Sequence, residues 1–270
     1  MRFVWNVRYR RCMAAVLASM AWLLPGCHGT GPITWKAADV LPNANQRLFW
    51  GDTQALWHGW ATENLQSGDL VFILGESRIL MGLVNFSKMC REVADSDFSH
   101  VAVVSREDGE IVVYDTVTGG PRRVPFGQLV ADRRVWRIAV KRLSAEHQRS
   151  VPDAIAYCRQ AYESQTEFDE DFQLNNDQLY CTELVELAYR HAGLPLSDPI
   201  PLNRLPGYGR VSEPTKRLVQ AATSIELDQE VFVPGNETTG IWANPHLQLV
   251  LDVTDVSSPP QRTRNEETYP

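Results

Sequence analysis

The sequence predicts an α+β domain in which strands come first and helices follow, and three observations support this prediction. Between residues 69 and 140, short runs rich in β-branched residues are separated by turn signals. Apolar residues then recur at Val151, Ile155 and Cys158, which is the spacing of an amphipathic helix within residues 145–165. A second helical pattern covers residues 181–192, and Gly193 follows it where a helix end favours glycine. Separated strands and helices indicate an α+β fold rather than repeated βαβ units.

Four strands are predicted, at residues 69–74, 100–105, 110–116 and 135–140. The dipeptide Asp108-Gly109 lies between the second and third strands and favours a two-residue hairpin turn. Such a turn makes His100 a diagonal neighbour of Asp115 on the same face of the sheet, at about 7–8 Å. A four-residue loop would place these two residues directly opposite each other, whereas a three-residue loop would place them on opposite faces.

The simplest domain organisation is one folded domain over residues 63–252. We expect a lipoprotein signal peptide at residues 1–26, a tether and N-terminal packing segment at residues 27–62, and a polar C-terminal tail at residues 253–270. A length of 270 residues would also allow two small domains. Residues 28–62 and 197–225 have no assigned role beyond shaping or covering a cleft.

Composition and charge exclude several classes of protein. The chain carries 26 Lys and Arg against 33 Asp and Glu, and this acidic balance argues against a nucleic-acid partner, which needs a basic face. No stretch of 18 apolar residues is present, which excludes a membrane protein with several spans. The five cysteines are scattered, so they form neither a disulfide framework nor a CxxC zinc pattern.

The first 26 residues have the layout of an export signal. They carry four arginines and no acidic residue, and an apolar run from Met13 to Leu24 follows the arginines. Twelve helical residues cover about 18 Å, too little to span a hydrocarbon core of about 30 Å. The run ends at Leu24-Pro25-Gly26-Cys27, which resembles a bacterial lipobox with Cys27 as the lipidated first residue of the mature protein.

The resemblance to a lipobox also predicts a location. Removing residues 1–26 leaves 22 basic and 33 acidic residues, a net charge of −11. The residue after the anchor is His28, whereas inner-membrane lipoproteins of Gram-negative bacteria usually have aspartate there. We therefore expect a lipoprotein of the cell envelope that faces the periplasm, at the outer membrane if the cell is Gram-negative. An ordinary signal peptide with an incidental cysteine is the alternative.

Most catalytic templates are absent from the sequence. It contains no GxxxxGK(S/T), no GxGxxG after a strand, no HExxH and no GxSxG. No two of the six histidines lie within five residues of each other, so their spacing indicates no local metal pair. We therefore expect neither a metal nor a cofactor, and a cysteine is the remaining candidate nucleophile.

Cys181 is the best candidate because it lies where the predicted helix begins. The free N–H groups and the positive end of the helix dipole favour a thiolate there, and a backbone N–H could help to hold an oxyanion. A nucleophilic cysteine needs a histidine base, and that base needs an orienting acid, which His100 and Asp115 can supply. Cys181 could instead be a buried helix cysteine, His100 an ordinary strand histidine and Asp115 a strand cap. Cys158 is interpreted as a buried apolar residue.

Five segments resemble one family in their order and spacing. They are Ser67-Gly68-Asp69-Leu70-Val71-Phe72, Phe98-Ser99-His100-Val101-Ala102-Val103-Val104, Val113-Tyr114-Asp115, Phe168-Asp169 with Phe172, and Tyr180-Cys181-Thr182-Glu183-Leu184-Val185. Over about residues 63–232 the chain resembles the circularly permuted members of the NlpC/P60 papain-like superfamily, especially the YiiX/YebB-like cysteine hydrolases. As in that permuted group, His100 precedes Cys181. The resemblance implies a permuted papain-like fold with an antiparallel barrel-like sheet packed against helices.

The resemblance also implies the roles of the site residues. Cys181 would be the nucleophile, His100 the base and Asp115 the residue that orients the imidazole. Asp115 stands where glutamate is more common in the family, and Thr182 stands where serine is common.

The implied function is a cysteine hydrolase that cleaves an amide or peptide bond through an acyl-enzyme, and a location in the cell envelope fits peptidoglycan-derived peptides as its substrates. One alternative is a thiol acyltransferase or thioesterase acting on lipids, for which we expect a large apolar groove beside Cys181. Peptide hydrolysis predicts a narrower polar groove instead. The other alternative is a non-catalytic envelope lipoprotein that binds a partner. The sequence predicts no oligomeric state.

Overall fold

The computed structural model describes residues 44–79, 84–132, 135–222 and 224–260. The signal-like run, Cys27, His28 and the last ten residues of the chain lie outside the described residues. The described chain belongs to one compact unit that begins at Ala44, and this unit includes the helix Ala44–Asn64. No described helix is both long and apolar enough to cross a membrane.

Most strands come before the two helices that the sequence predicts, so the order of elements is close to the predicted one. In chain order, the strands are β1 (Leu70–Gly75), β2 (Arg78–Ile79), β3 (Val84–Asn85), β4 (His100–Glu107), β5 (Glu110–Val117), β6 (Gly120–Pro125), β7 (Val135–Leu143), β8 (Glu167–Phe168), β9 (Gln178–Leu179), β10 (Ile200–Pro201), β11 (Glu230–Val231) and β12 (Leu247–Val253). The α-helices are α1 (Ala44–Asn64), α2 (Phe86–Ala94), α3 (Phe126–Val130), α4 (Val151–Glu163), α5 (Cys181–His191) and α6 (Glu213–Ala222).

A six-stranded antiparallel sheet forms the centre of the domain. Its strand order is β12-β7-β1-β4-β5-β6, and every neighbouring pair is antiparallel. The strands β12 and β6 are the two edges, so the sheet is open and the barrel-like closure expected from the resemblance is wrong. Helices cover both faces of the sheet, which buries its apolar side chains without closure.

Both faces of the sheet are apolar, and this explains the continuous hydrophobic run of β1. Leu70 and Phe72 pack in a core cluster with residues of α4 and α5, whereas Val71 and Ile73 pack on the other face with residues of α1 and α3. Successive side chains of a strand point to opposite faces, so a strand covered on both sides needs apolar residues at every position. All four of these side chains are buried.

The structure confirms the four strands and two long helices that the sequence predicts. The strands β1, β4, β5 and β7 coincide with the predicted runs, and β7 continues three residues further, to Leu143. The predicted helix over residues 145–165 begins as a 3-10 helix at Ala145–Ser150 and continues as α4. Helix α5 ends at His191, and Gly193 has a positive φ of 76°, as expected after a helix end.

Helix α1 ties the two ends of the described chain together. The side chain of Trp57 is buried against Phe126 of α3, and its Nε1 donates to the carbonyl of Val256 at 2.8 Å. The hydroxyl of Thr53 donates to the carbonyl of Ser257 at 3.2 Å. The described chain therefore contacts α1 as far as residue 257.

Candidate active site

The cysteine of the candidate site lies at the first position of α5. The helix begins directly after Tyr180, whose extended backbone (φ −102°, ψ 172°) makes it the N-cap residue. The Tyr180 side chain does not cap the helix; its backbone N–H lies close enough to the Glu183 carboxylate, three residues into the helix, to favour the ionised form of that group. This contact holds the first turn in place, and with it the Cys181 thiol at the positive end of the helix dipole.

His100 and Asp115 meet through the two-residue hairpin that the sequence predicts. Glu107 pairs with Glu110, and the turn residues Asp108 and Gly109 have positive φ of 50° and 86°. In this register, His100 Nε2 lies 2.9 Å from Asp115 Oδ2. The predicted diagonal contact is therefore confirmed as a direct hydrogen bond.

Arg122 is a further member of the site that the sequence analysis missed. It lies opposite Asp115 in the β5–β6 pairing and binds this carboxylate with both ends of its guanidinium, Nε at 2.7 Å from Oδ1 and Nη2 at 2.9 Å from Oδ2. Asp115 is completely buried, so an ionised carboxylate there needs such partners. The register of a second hairpin, beginning at Gly120, could have indicated Arg122, but residues 120–125 show no clear strand pattern.

Cys181 and His100 perturb each other's protonation. Burial disfavours the imidazolium, but the charge of Cys181 and hydrogen bonds with Asp115 and Cys181 raise the pKa of His100 to about 10. Burial likewise disfavours the thiolate, but His100 and hydrogen bonds from Thr182 and the Val101 backbone lower the pKa of Cys181. Because Asp115 occupies Nε2, the nitrogen left for the sulfur is Nδ1. The favoured state is a thiolate paired with an imidazolium.

The other described cysteines lack this environment. Cys158 is fully buried on α4, and burial raises the pKa of its thiol to about 12, which confirms its apolar role. Cys90 lies on α2, and burial together with the charge of Cys181 raises the pKa of its thiol. Both are free thiols. Cys181 is the described cysteine whose surroundings favour the nucleophilic form.

Two buried acids lie behind the first turn of α5. Burial and the charge of Asp169 raise the pKa of Glu183 to about 8, and burial raises the pKa of Asp169. One carboxyl oxygen of Glu183, Oε2, has no hydrogen-bond partner among the described residues. Glu183 is therefore protonated at neutral pH, so it places no second negative charge beside the Cys181 thiolate, two residues away.

An apolar cavity of about 140 Å³ adjoins the site. Tyr180, which precedes Cys181, lines the cavity, and so does Cys90. The cavity walls come from α2, from β11 and from the segment between α5 and α6, with apolar side chains at Val93, Ala94, Phe172, Leu202, Leu205, Val211, Ile225, Leu227, Val231, Phe232 and Val233. Part of the segment 197–225, which had no assigned role, therefore shapes a cavity that reaches Tyr180, the neighbour of Cys181.

The fold and the site together define a class of enzyme. A thiol at the start of a helix, packed against a sheet that carries a histidine and an acid earlier in the chain, is the arrangement of a permuted papain-like cysteine hydrolase. Residues 64–207 match the family described as permuted papain-like amidase enzymes, YaeF/YiiX, C92 family, and the chain belongs to this family.

One solved structure supports the fold. The metalloprotein YiiX from Escherichia coli O157:H7 superposes with a TM-score of 0.55 at 22% sequence identity, covering 70% of this chain and 98% of that chain. No curated protein matches the chain significantly in sequence. These comparisons confirm the permuted papain-like family of the resemblance, whereas its NlpC/P60 and YebB-like parts stay predictions.

The protonated state of Glu183 predicts how stability changes with pH. A carboxyl whose pKa rises from the usual 4.5 to about 8 on folding binds more protons in the folded state over that interval. The free energy of unfolding therefore falls as pH rises from about 4.5 to about 8. Glu183→Gln keeps the acceptor for the Tyr180 N–H and removes this titration. We expect the variant to match the wild type near pH 4 and to unfold at higher temperature near pH 8.

The measurement is thermal unfolding across this pH range, with Glu163→Gln as the matched control. Glu163 is exposed at the end of α4, so its replacement removes a charge without changing the buried pair. A constant difference between wild type and Glu183→Gln at every pH would contradict a titrating Glu183.

Proposed function

We propose that the protein is a cysteine hydrolase that cleaves an amide or peptide bond, with Cys181 as nucleophile, His100 as acid and base, and Asp115 as the residue that orients His100. The observation that carries this proposal is the chain of contacts from the Cys181 sulfur through the imidazole to the buried carboxylate. Arg122 holds that carboxylate ionised and in place. The chain's membership of an amidase family supports the same reaction.

The reaction would proceed in two steps. The Cys181 thiolate attacks the carbonyl carbon, and the oxygen that becomes negative is stabilised by the free backbone N–H groups in the first turn of α5. The imidazolium of His100 gives its proton to the leaving nitrogen as the C–N bond breaks, which leaves a thioester on Cys181. Water then attacks the thioester while His100 takes its proton. The carboxylic acid product leaves, and the thiolate–imidazolium pair is restored.

Labelling with iodoacetamide tests this site. We expect rapid alkylation of Cys181 at a pH below the usual cysteine pKa, since the contacts with His100 lower the pKa of the thiol. His100→Ala removes these contacts, so labelling should slow by roughly tenfold or more at the same pH. The labelling rate of Asp115→Asn should lie between those of the wild type and His100→Ala. The site of labelling is read by mass spectrometry.

Two further variants serve as controls for this experiment. Cys181→Ala should lose the rapid label, whereas Cys158→Ala should keep it because Cys158 is fully buried elsewhere on α4. Equal labelling of wild type, His100→Ala and Cys181→Ala would overturn the proposed site. Such a result would favour the non-catalytic binding protein.

A second candidate function is acyl transfer or thioester hydrolysis on lipids. The apolar cavity beside Cys181 favours it, because peptide substrates need a polar groove whereas an acyl chain needs an apolar one. Both candidate functions use the same thioester intermediate and differ in the group that enters the cavity. The length of the acyl chain can therefore separate them.

A series of N-acyl p-nitroanilides from acetyl to octanoyl tests this difference. If the chain enters the cavity, kcat/KM should rise by roughly fourfold per added methylene, since each buried methylene contributes about 0.8 kcal/mol. Met89→Gln places a polar amide in the cavity wall, so it should reduce the gain for octanoyl and leave acetyl unchanged. A flat or falling series would instead favour a peptide substrate, such as one derived from peptidoglycan.

We propose in addition that the protein is exported and anchored in the cell envelope by lipid on Cys27. The basic start, the apolar run and the lipobox-like Leu24-Pro25-Gly26-Cys27 support this proposal. The tether that follows would hold the catalytic domain on the periplasmic side of a membrane.

The anchor is tested by expression of the full chain with radioactive palmitate. Wild type should carry the label and sediment with membranes, and Cys27→Ser should lose both properties. Cys12→Ser is the matched control, because Cys12 lies before the apolar run. Unlabelled wild-type protein in the soluble fraction would favour an ordinary signal peptide.

A further inference from the structure

Two histidines that are far apart in the sequence lie side by side in the fold. The imidazole rings of His147 and His246 have their centroids 3.9 Å apart, at an angle of 32°. Glu146 joins them, and one possible ligand atom from each of the three residues lies within 4.8 Å of the other two. This cluster is the group of metal-ligating side chains that stands out among the described residues outside the thiol site.

We propose that Glu146, His147 and His246 bind a divalent transition metal, with Zn²⁺ as the natural occupant. Two imidazoles and a carboxylate are a donor set that zinc accepts, and three protein ligands leave its fourth position to water. The two imidazoles favour zinc over calcium or magnesium, which prefer ligand sets made of oxygen.

The pairing of two strands holds the backbone segments of this site in place. Leu143 at the end of β7 pairs with Leu247 at the start of β12. One residue beyond this pair, the Ser144 N–H donates to the carbonyl of His246 at 2.8 Å. The 3-10 helix that follows β7 then carries Glu146 and His147 back toward His246. The two strands therefore fix the segments that carry the three ligands.

Contacts around the ligands also restrict their side chains and backbone. The Ser144 hydroxyl lies 3.0 Å from His147 Nδ1, and a Glu146 carboxylate oxygen lies 3.4 Å from the same nitrogen. The N–H of His246 donates to the side chain of Asn244 at 2.8 Å. Zinc ligands in a tetrahedron lie about 3.3 Å apart, so small side-chain rotations suffice to close the site around an ion. The exposure of Glu146 allows such a rotation.

The proposed metal site is separate from the thiol site. Ile73 of β1 pairs with both His100 and Ile138, so these two residues are level across the sheet. Leu143 lies five residues further along β7, which is about 17 Å at 3.3 Å per residue, and β7 lies two strands away from β4, which adds about 10 Å sideways. Zinc at this place would join the segment after β7 to the segment before β12 and would not act on the substrate.

Isothermal titration of the purified protein with Zn²⁺ near neutral pH tests the proposal. Wild type should bind one Zn²⁺ at this site, and His147→Ala or His246→Ala should weaken that binding by roughly tenfold or more. Glu146→Gln should weaken it less, because an amide oxygen remains. His58→Ala is the matched control, since His58 also lies near a glutamate, with Nδ1 3.8 Å from Glu110, but none of the described residues places a second imidazole beside it.

Thiols also bind zinc, so the titration is repeated in Cys181→Ala. The proposed site should keep its affinity in this variant. The spectrum of bound Co²⁺ should show nitrogen and oxygen ligands without a sulfur-to-cobalt band. Thermal unfolding without metal checks that each histidine variant is folded.

Two results would overturn the site. One is binding that persists in both histidine variants and disappears in Cys181→Ala. The other is a wild type that binds no zinc at micromolar concentration. Neither result would affect the iodoacetamide experiment, so the metal site and the proposed hydrolase can fail independently.

Discussion

The hydrogen bond between His100 and Asp115 is the interaction on which the rest of the site depends. Its two residues lie on neighbouring strands, and a shift of one residue in the pairing would move Asp115 to the opposite face of the sheet. The tight turn at Asp108-Gly109 prevents this shift, because both residues adopt the positive φ that a two-residue hairpin needs. A backbone conformation far from the sulfur therefore determines whether the imidazole has an orienting acid.

The second hairpin adds a positive charge that stabilises the ionised form of Asp115. Gly120 begins β6 with a φ of 97°, and a Cβ there would come within 2.3 Å of the Thr166 carbonyl, so this position needs glycine. The register that follows places Arg122 opposite Asp115. Charges then alternate from the guanidinium through the carboxylate and the imidazolium to the thiolate. Each buried charge has an opposite neighbour, which is the condition for keeping it ionised away from water.

The sequence indicated Cys181, His100 and Asp115 as candidates because their signals are local. A helix start, a β-branched run and an Asp-Gly turn each occupy a few consecutive residues, and simple strand geometry joins the latter two. Arg122 was missed because its strand, Gly120–Pro125, contains two prolines and two arginines and little apolar pattern. Helix α1 was missed because its apolar residues are spread around the helix, with Trp57 buried and Leu56 exposed.

Features built from distant segments could not be predicted in this way. His147 and His246 are about a hundred residues apart, and only the pairing of β7 with β12 brings them together. The open sheet likewise depends on long-range packing. Helices cover both of its faces, and strand patterns in the sequence do not show which helices pack on which face. Family resemblance supplied the fold class but gave the wrong expectation for the sheet's closure.

The contacts of α1 with Val256 and Ser257 have a consequence for how the chain folds. They join residues 199 and 204 positions apart, and β12, the last strand in the described part of the chain, forms one edge of the sheet. Folding that depends on such distant contacts is slow, because a long loop must close before the contacts form. The native core therefore cannot be completed on the ribosome until residues 247–257 have been synthesised, and a shorter chain exposes an unfinished sheet edge until then.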